Sequence, residues 1–357
     1  MPFLLRTLIS IRVLLACSLA IPCALLSPAL LAQDVAGVGI AAIKVADPVN
    51  GGSMPGFVFY PSAQASSMAT AIGPYAVDAA FGAPALPGAK PLVVISHGHG
   101  GSDLGHHDLA TYLARHGFIV ATFEHPKDNF HDVSGTANAT VLAGRAVQVR
   151  ATISTLLADP RWKKQIDPTR IGVAGFSAGG YTSLLVVGAQ PRFDRFIGYC
   201  QRHPDDADTC SLVKKLSPKA TADHLAAVQN DMHRWGPTDD PRVKAAFVMA
   251  PLSLVFDKAG AAAIDRPVDL WYGQHDHVLL PADNAAHLAP LVRTLTRVTV
   301  VPNADHWVFL APCSPELAKE AKTICSDPPG VDRVKVHARL NADALAFFRQ
   351  TLAVPAH

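Results

Sequence analysis

A serine at 177, an aspartate at 276 and a histidine at 306 are the residues of this chain whose types, order and surroundings could do chemistry together. Ser177 stands in Gly175-Phe176-Ser177-Ala178-Gly179, a G-x-S-x-G pentapeptide. An apolar run, Arg170-Ile171-Gly172-Val173-Ala174, leads into it, and a helical pattern from Tyr181 to Ala189 follows. That context predicts a nucleophile elbow, a sharp strand-to-helix turn that lifts the hydroxyl clear of a sheet. The flanking glycines let strand and helix approach without Cβ clashes. A tight Gly/Ser turn with no chemistry would share the pentapeptide but not the strand before it and the helix after it.

A serine hydroxyl is a poor nucleophile at neutral pH and needs a base, and the base needs a group to hold its tautomer. With a strand-to-helix serine the acid follows in the chain and the histidine comes last. Leu270-Trp271-Tyr272-Gly273-Gln274-His275-Asp276 offers a strand, a glycine turn and then the acid Asp276. Asp257 is the alternative acid, several residues beyond the preceding strand end at Pro251. Val298-Thr299-Val300-Val301-Pro302-Asn303-Ala304-Asp305-His306 puts the base, His306, in the loop after a last strand. His287 lies within a helical pattern and His337 starts the last helix, so both compete poorly. A second backbone N–H is needed for the oxyanion. The loop His97-Gly98-His99-Gly100-Gly101 supplies it, with the N–H of His99 as partner to that of Ala178. This mechanism calls for no cofactor and no metal.

These residues need strand ends to stand on. Val38 to Val45 and Gly56 to Tyr60 read as an edge hairpin, with Asp47-Pro48-Val49-Asn50-Gly51-Gly52 as turn. Ser62 to Lys90, rich in Ala, Gly and Pro, reads as a long surface loop. Strands over Leu92–Ser96, Phe118–Phe123, Ile171–Phe176, Val243–Met249, Val268–Tyr272 and Val298–Val301 then alternate with helical segments. The helices are His107–His116, Val141–Ala158, the one after Ser177, Asn284–Leu295 (kinked or split by Pro290) and Ala338–Leu352. The pattern predicts an α/β fold with a mostly parallel central sheet covered by helices on both faces. Pro191 to Pro241 breaks the rhythm: it is polar and carries His224, His233 and Trp235. It reads as a small cap insertion over the site, or as a surface decoration.

Residues 1–32 read as a secretory signal peptide, with Arg6 and Arg12, an apolar stretch, and a cut after Ala32 or Ala29. An uncleaved anchor is the alternative, against which Pro22 and Pro28 count. Residues 33–357 form the remaining domain, with 29 basic and 29 acidic side chains once Arg6 and Arg12 are removed. That balance offers no electrostatic grip on nucleic acid. Beyond Cys17 and Cys23 of the leader, four cysteines fall into two local pairs. In an exported chain they are expected to form the disulfides Cys200–Cys210 and Cys313–Cys325. A zinc site of four thiolates is the competing arrangement, and it lacks C-x-x-C spacing.

With the pentapeptide, the glycine loop and the two late residues in place, the chain resembles the α/β-hydrolase superfamily. It is similar to predicted dienelactone hydrolases and to platelet-activating-factor acetylhydrolases. The resemblance rests on Pro91-Leu92-Val93-Val94-Ile95-Ser96-His97-Gly98-His99-Gly100, on His116-Gly117-Phe118-Ile119-Val120-Ala121, on Gly175 to Gly180, and on Asp305-His306. It departs in two places. Dienelactone hydrolases use a cysteine nucleophile where this chain has Ser177. Acetylhydrolases of this group place the acid after an earlier strand, and Ala250-Pro251-Leu252-Ser253 holds no carboxylate, which favours Asp276. The resemblance implies a carboxylic ester substrate, of short acyl chain or lipid-like, with contact to a lipid or membrane surface open. Two rivals remain. His97, His99, His106, His107, His275 and His277 could serve a metal-dependent hydrolase, though the H-x-H pair lacks an Asp-His two residues on. A catalytically inactive binding protein on the same fold is the other.

Overall fold

The computed structural model describes residues 37–65, 69–206, 209–210 and 215–353. The expected signal peptide, residues 1–32, lies outside them. Strands β1 (Gly37–Ala46) and β2 (Ser53–Ser62) pair antiparallel in register from Gly37–Ser62 to Ala46–Ser53. Asp47 closes their turn, accepting from Val49 N–H at 2.9 Å and from the Asn50 amide at 2.9 Å. The segment read as a loop instead holds a small hairpin, β3 (Thr70–Ile72) with β4 (Tyr75–Val77), and β5 (Ala80–Phe81), which adds to the far side of β1. Strands of two or three residues are too short for an alternation to declare itself.

The remaining strands are β6 (Lys90–Ser96), β7 (Ile119–Phe123), β8 (Ile166–Phe176), β9 (Val243–Met249), β10 (Val268–Gly273) and β11 (Leu295–Val301). The nine-stranded sheet runs β11-β10-β9-β8-β6-β7-β2-β1-β5, and β6 to β11 are mutually parallel. Helices cover both faces, which is why the central strands are buried along nearly all their length. Leu92 and Val94 join one core layer while Val93 and Ile95 join the other, as the two-residue period of a strand requires.

Helix α1 (His107–Arg115) follows β6. The single helix expected over Val141–Ala158 is two, α2 (Ala139–Leu142) and α3 (Gly144–Ala158), separated where Ala143 leaves the helical region at φ −123°. Helix α4 (Ala178–Val186) follows β8 and is buried on every side. The insertion contributes α5 (Arg195–Arg202) and α6 (Pro218–Asp231), the latter capped by Ser217. Helices α7 (Lys258–Ala262) and α8 (Ala285–Leu288) are short. The helix expected to reach Leu295 ends before Pro290, which has no N–H to extend the ladder. Helices α9 (Pro315–Glu320) and α10 (Lys322–Cys325) precede the long α11 (Arg333–Thr351). Side chains of α1 and α11, such as Leu109, Leu113, Leu340 and Phe348, fill one layer. Those of α3, α4 and α6, such as Val149, Ile153, Leu184 and Leu225, fill the other. Cys200 is bonded to Cys210 (S–S 2.03 Å) and Cys313 to Cys325 (S–S 2.04 Å).

Candidate active site

Strand order reverses at β6: β7 lies on one side of it and β8 on the other. In open parallel sheets the crevice beyond the strand ends at such a point is where ligands bind. The loop His97–Gly101 leaves β6 there, and Ser177 leaves β8. Asp276 and His306 follow β10 and β11 on the same side of the sheet.

Ser177 has φ 54° and ψ −116°, a conformation that disfavours any residue with a Cβ. It persists because the surroundings fix it. Its N–H donates to Met249 carbonyl at 2.9 Å, and its carbonyl accepts from Tyr181 and Leu252 N–H at 3.0 and 3.1 Å. The flanking glycines permit the approach this turn needs. A Cβ on Gly175 would lie 2.1 Å from the Gly179 carbonyl oxygen, and one on Gly179 would lie 1.9 Å from that of Ser96. Ala178 is the first residue of α4, where N–H groups lack intrahelical acceptors. The His97–Gly101 loop runs alongside: a Cβ on Gly98 would lie 3.4 Å from the Ser177 Cβ.

His306 and Asp276 are both buried, and His306 Nδ1–H donates to Asp276 Oδ2 at 2.7 Å. The other oxygen, Oδ1, accepts from Val278 and Leu279 N–H at 3.0 and 2.7 Å. The carboxylate is thus held from both ends, and the imidazole tautomer is set with Nε2 free of the proton. The ring packs on Phe176, the neighbour of Ser177, with centroids 4.6 Å apart. Asp305 starts the 3₁₀ turn His306–Phe309 by accepting from His306 N–H at 2.6 Å.

The other candidates have different surroundings. Asp257 caps α7, accepting from Gly260 N–H at 2.7 Å. His287 donates to Phe256 carbonyl. His337 lies inside α11, between Asp108 at 2.6 Å and Val308 carbonyl at 2.8 Å. Among the clustered histidines, His106 packs on Phe176, His107 on Tyr75, and His277 pairs with Asp305. Among the described residues no three His, Cys, Asp or Glu side chains converge on a metal position.

A cavity of about 220 Å³ opens at Ser177 and Ala178. Its walls are largely apolar: Val141, Leu142, Tyr181, Leu252, Val278 and Leu279, with Phe196, Thr209, Thr221 and Leu225 contributed by the insertion. His224 of α6 fastens that insertion by donating to Ala137 carbonyl at 2.9 Å. A larger groove of about 900 Å³ lies between the end of α4, residues 229–239 and α7. None of Ser177, His99, Asp276 and His306 lines it, and its charged residues pair among themselves, Arg192 with Asp257 and Arg266 with Asp239 and Asp265, so size does not mark the chemistry here.

The polar wall of the Ser177 cavity is His99, Asp128 and Arg145, and of these the sequence pointed only to His99. Arg145 and Asp128 form a buried ion pair, and the His99 ring donates to the same carboxylate. Burial alone would push the Asp128 carboxyl up, but Arg145 and His99 outweigh it and hold it below the usual carboxylate range. Two buried histidines flank the pair. Burial, assisted by the Arg145 charge, pulls His97 down to about 3 and His125 well below its ordinary value. Both are neutral, as their bonds require. The signal available was Arg145 itself, a cation on the apolar stripe of a helix.

Comparisons with known proteins agree with this architecture. Residues 61–143 match the family model for platelet-activating factor acetylhydrolase, isoform II. The match spans β6, the His97–Gly101 loop, α1 and β7, and stops short of Ser177. No curated protein matches the chain. Among solved structures, a ferulic acid esterase from Streptomyces cinnamoneus superposes with a TM-score of 0.58 at 19% identity, covering 89% of this chain and 90% of that one. The chain has the α/β-hydrolase fold, with a segment around its His97–Gly101 loop similar to the platelet-activating factor acetylhydrolase isoform II family.

Proposed function

We propose that the protein is an exported serine hydrolase of carboxylic esters, with Ser177, His306 and Asp276 as its triad. The observation that carries this is the buried Asp276–His306 bond of 2.7 Å, its ring packed against the residue that precedes Ser177. His306 Nε2 takes the proton of Ser177 as the hydroxyl attacks the ester carbonyl. Asp276 keeps Nδ1 protonated and stabilises the imidazolium that forms. The N–H groups of Ala178 and His99 receive the oxyanion. The alcohol leaves with the proton from His306, water attacks the acyl-enzyme with His306 again as base, and the carboxylic acid departs. This chemistry uses no cofactor.

The cavity favours short acyl groups. Its volume, about 220 Å³, is below the roughly 300–1,000 Å³ usual for drug-sized ligands. Its insertion-derived wall is the part that would set chain length, so residues 191–241 act as a cap. The two disulfides, on a chain with a signal-like leader, support export. The family match and the esterase neighbour support ester hydrolysis over other acyl chemistry. The test is turnover of p-nitrophenyl esters of graded length. The expectation is a kcat/KM maximum between acetyl and butyryl that falls for longer chains. No turnover of any ester in the series would refute the assignment.

A further inference from the structure

The loop His97–Gly101 makes a tight turn, closed by Gly101 N–H donating to Gly98 carbonyl at 3.1 Å, and Gly101 bridges to Asn129. The loop's anchors come from two distant segments. Asp128, in the segment after β7, has a fully buried side chain. Its Oδ1 accepts from the His99 ring and from Gly100 N–H at 3.3 Å, and its Oδ2 accepts from Arg145 Nη1. Arg145, in the first turn of α3, reaches the same loop by its other arm. Its Nη2 donates to His97 carbonyl and to Ser96 Oγ at 3.3 Å. The end of β6 at Ser96 and loop positions 97, 99 and 100 are therefore all tied to one ion pair.

Behind that pair runs a chain of hydrogen bonds. Ser96 Oγ donates to His125 Nε2 at 2.9 Å, His125 Nδ1 donates to Gln148 at 2.7 Å, and Gln148 donates to Asp47 at 3.1 Å. His125 N–H in turn donates to His97 Nε2 at 3.1 Å, and His97 Nδ1 donates to Gly98 carbonyl at 2.7 Å. Stability alone does not account for this arrangement. Burying two charges costs solvation that apolar residues of similar size would not lose. Arg145 Nε is moreover buried without a partner. A rigid, dry setting for hydrogen-bond donors is what oxyanion stabilisation requires.

We infer that the buried Arg145–Asp128 pair is a positioning device for the oxyanion loop, holding the N–H of His99 in the direction the developing charge needs. The inference rests on the reading of Ser177 as nucleophile and His99 N–H as oxyanion donor. Neither Arg145 nor Asp128 touches the reacting atoms; both act through the loop.

The test uses the full exported chain and the double variant Asp128→Asn/Arg145→Gln, which removes both charges and so leaves neither buried alone. A second variant, His99→Ala, keeps the backbone N–H and deletes only the ring that bonds Asp128. For each, kcat and KM are measured on p-nitrophenyl acetate, together with the inhibition constant of a trifluoromethyl ketone that mimics the tetrahedral oxyanion. The expected result is a fall in kcat of about 10- to 100-fold, short of the ~10²–10³ of a lost donor. KM should change by less than about twofold, and inhibitor affinity should fall in parallel with kcat. A folded variant with wild-type kcat overturns the inference, as does a lower kcat with unchanged inhibitor affinity. If the double variant does not fold, His99→Ala decides by the same readouts. Ser177→Ala, measured alongside, separates the two readings: turnover surviving in it refutes the nucleophile, whereas its loss with clamp variants at full kcat refutes the clamp alone.

Discussion

At the scale of single residues, the site divides into what order reveals and what only folding brings together. Ser177, Asp276 and His306 each stand just past an apolar strand, so their candidacy was visible from local sequence. Of the two candidate acids, Asp276 bonds His306 and Asp257 caps α7, which is the ground for proposing Asp276. Asp128 and Arg145 were not legible because nothing local links positions 17 residues apart whose contact depends on β7 and α3 packing. The residue-scale prediction concerns Asp276. Asp276→Asn keeps the shape but offers an amide where Nδ1–H needs an acceptor, favouring the wrong tautomer of His306. Ester kcat should fall by about 10⁴-fold with the fold intact. A loss below tenfold would remove Asp276 from the triad.

At the scale of elements, the elbow depends on two close approaches that only glycine permits. Gly179→Ala would put a methyl group 1.9 Å from the Ser96 carbonyl oxygen, which is backbone and cannot rotate away. Separation of β6 from α4 should cost about 3 kcal/mol or more and abolish ester turnover. Thermal denaturation with an ester assay checks both, and a stable, active variant would contradict the turn described here. The role proposed for residues 191–241 as a cap makes a separate prediction. Leu225 of α6 forms part of the cavity wall, so Leu225→Ala should move the kcat/KM maximum toward longer acyl chains. An unchanged chain-length profile would mean that the acyl group lies elsewhere. The parallel strands were legible because their apolar runs are only five to seven residues long, too short for core helices, and rich in Val, Ile and Phe. The break at Ala143 was not, since its neighbours keep a helical spacing on both sides and only tertiary contacts interrupt it.

At the scale of the whole molecule, buried histidines make stability depend on pH. Burial holds His97 at about 3 and His106 at about 4, with His125 also well below its ordinary value of 6.5. In the unfolded chain all three titrate near 6.5, so between that pH and about 4 the unfolded state binds protons that the native state does not. The contribution of these three rings is then full above about 6.5 and falls as pH drops below it. The Asp108–His337 pair adds in the same direction on its acid side. The Asp108 carboxyl is held below its usual range, chiefly by the charge of His337 against the cost of burial, so its contribution is lost on acidification. For His337 burial is outweighed by Asp108 and its pKa is raised, so its contribution is lost only as pH rises through that raised value. Burial raises Asp103 to about 7 and Asp269 to about 6, and these two carboxyls gain stability over the same window. Melting temperature should therefore decline from pH 6.5 to 4.5, less steeply than the three rings alone would give. A flat profile over that range would contradict neutral burial of these rings.

Ser177 is the proposed nucleophile, and covalent labelling with a fluorophosphonate tests that role most directly. The protein is titrated with the probe, residual p-nitrophenyl acetate turnover is recorded, and the modified peptide is identified by mass spectrometry. One adduct per chain on Ser177, with activity lost in proportion and no labelling of Ser177→Ala, is the predicted result. An unlabelled wild-type protein, or a labelled Ser177→Ala variant that still hydrolyses the ester, would contradict it.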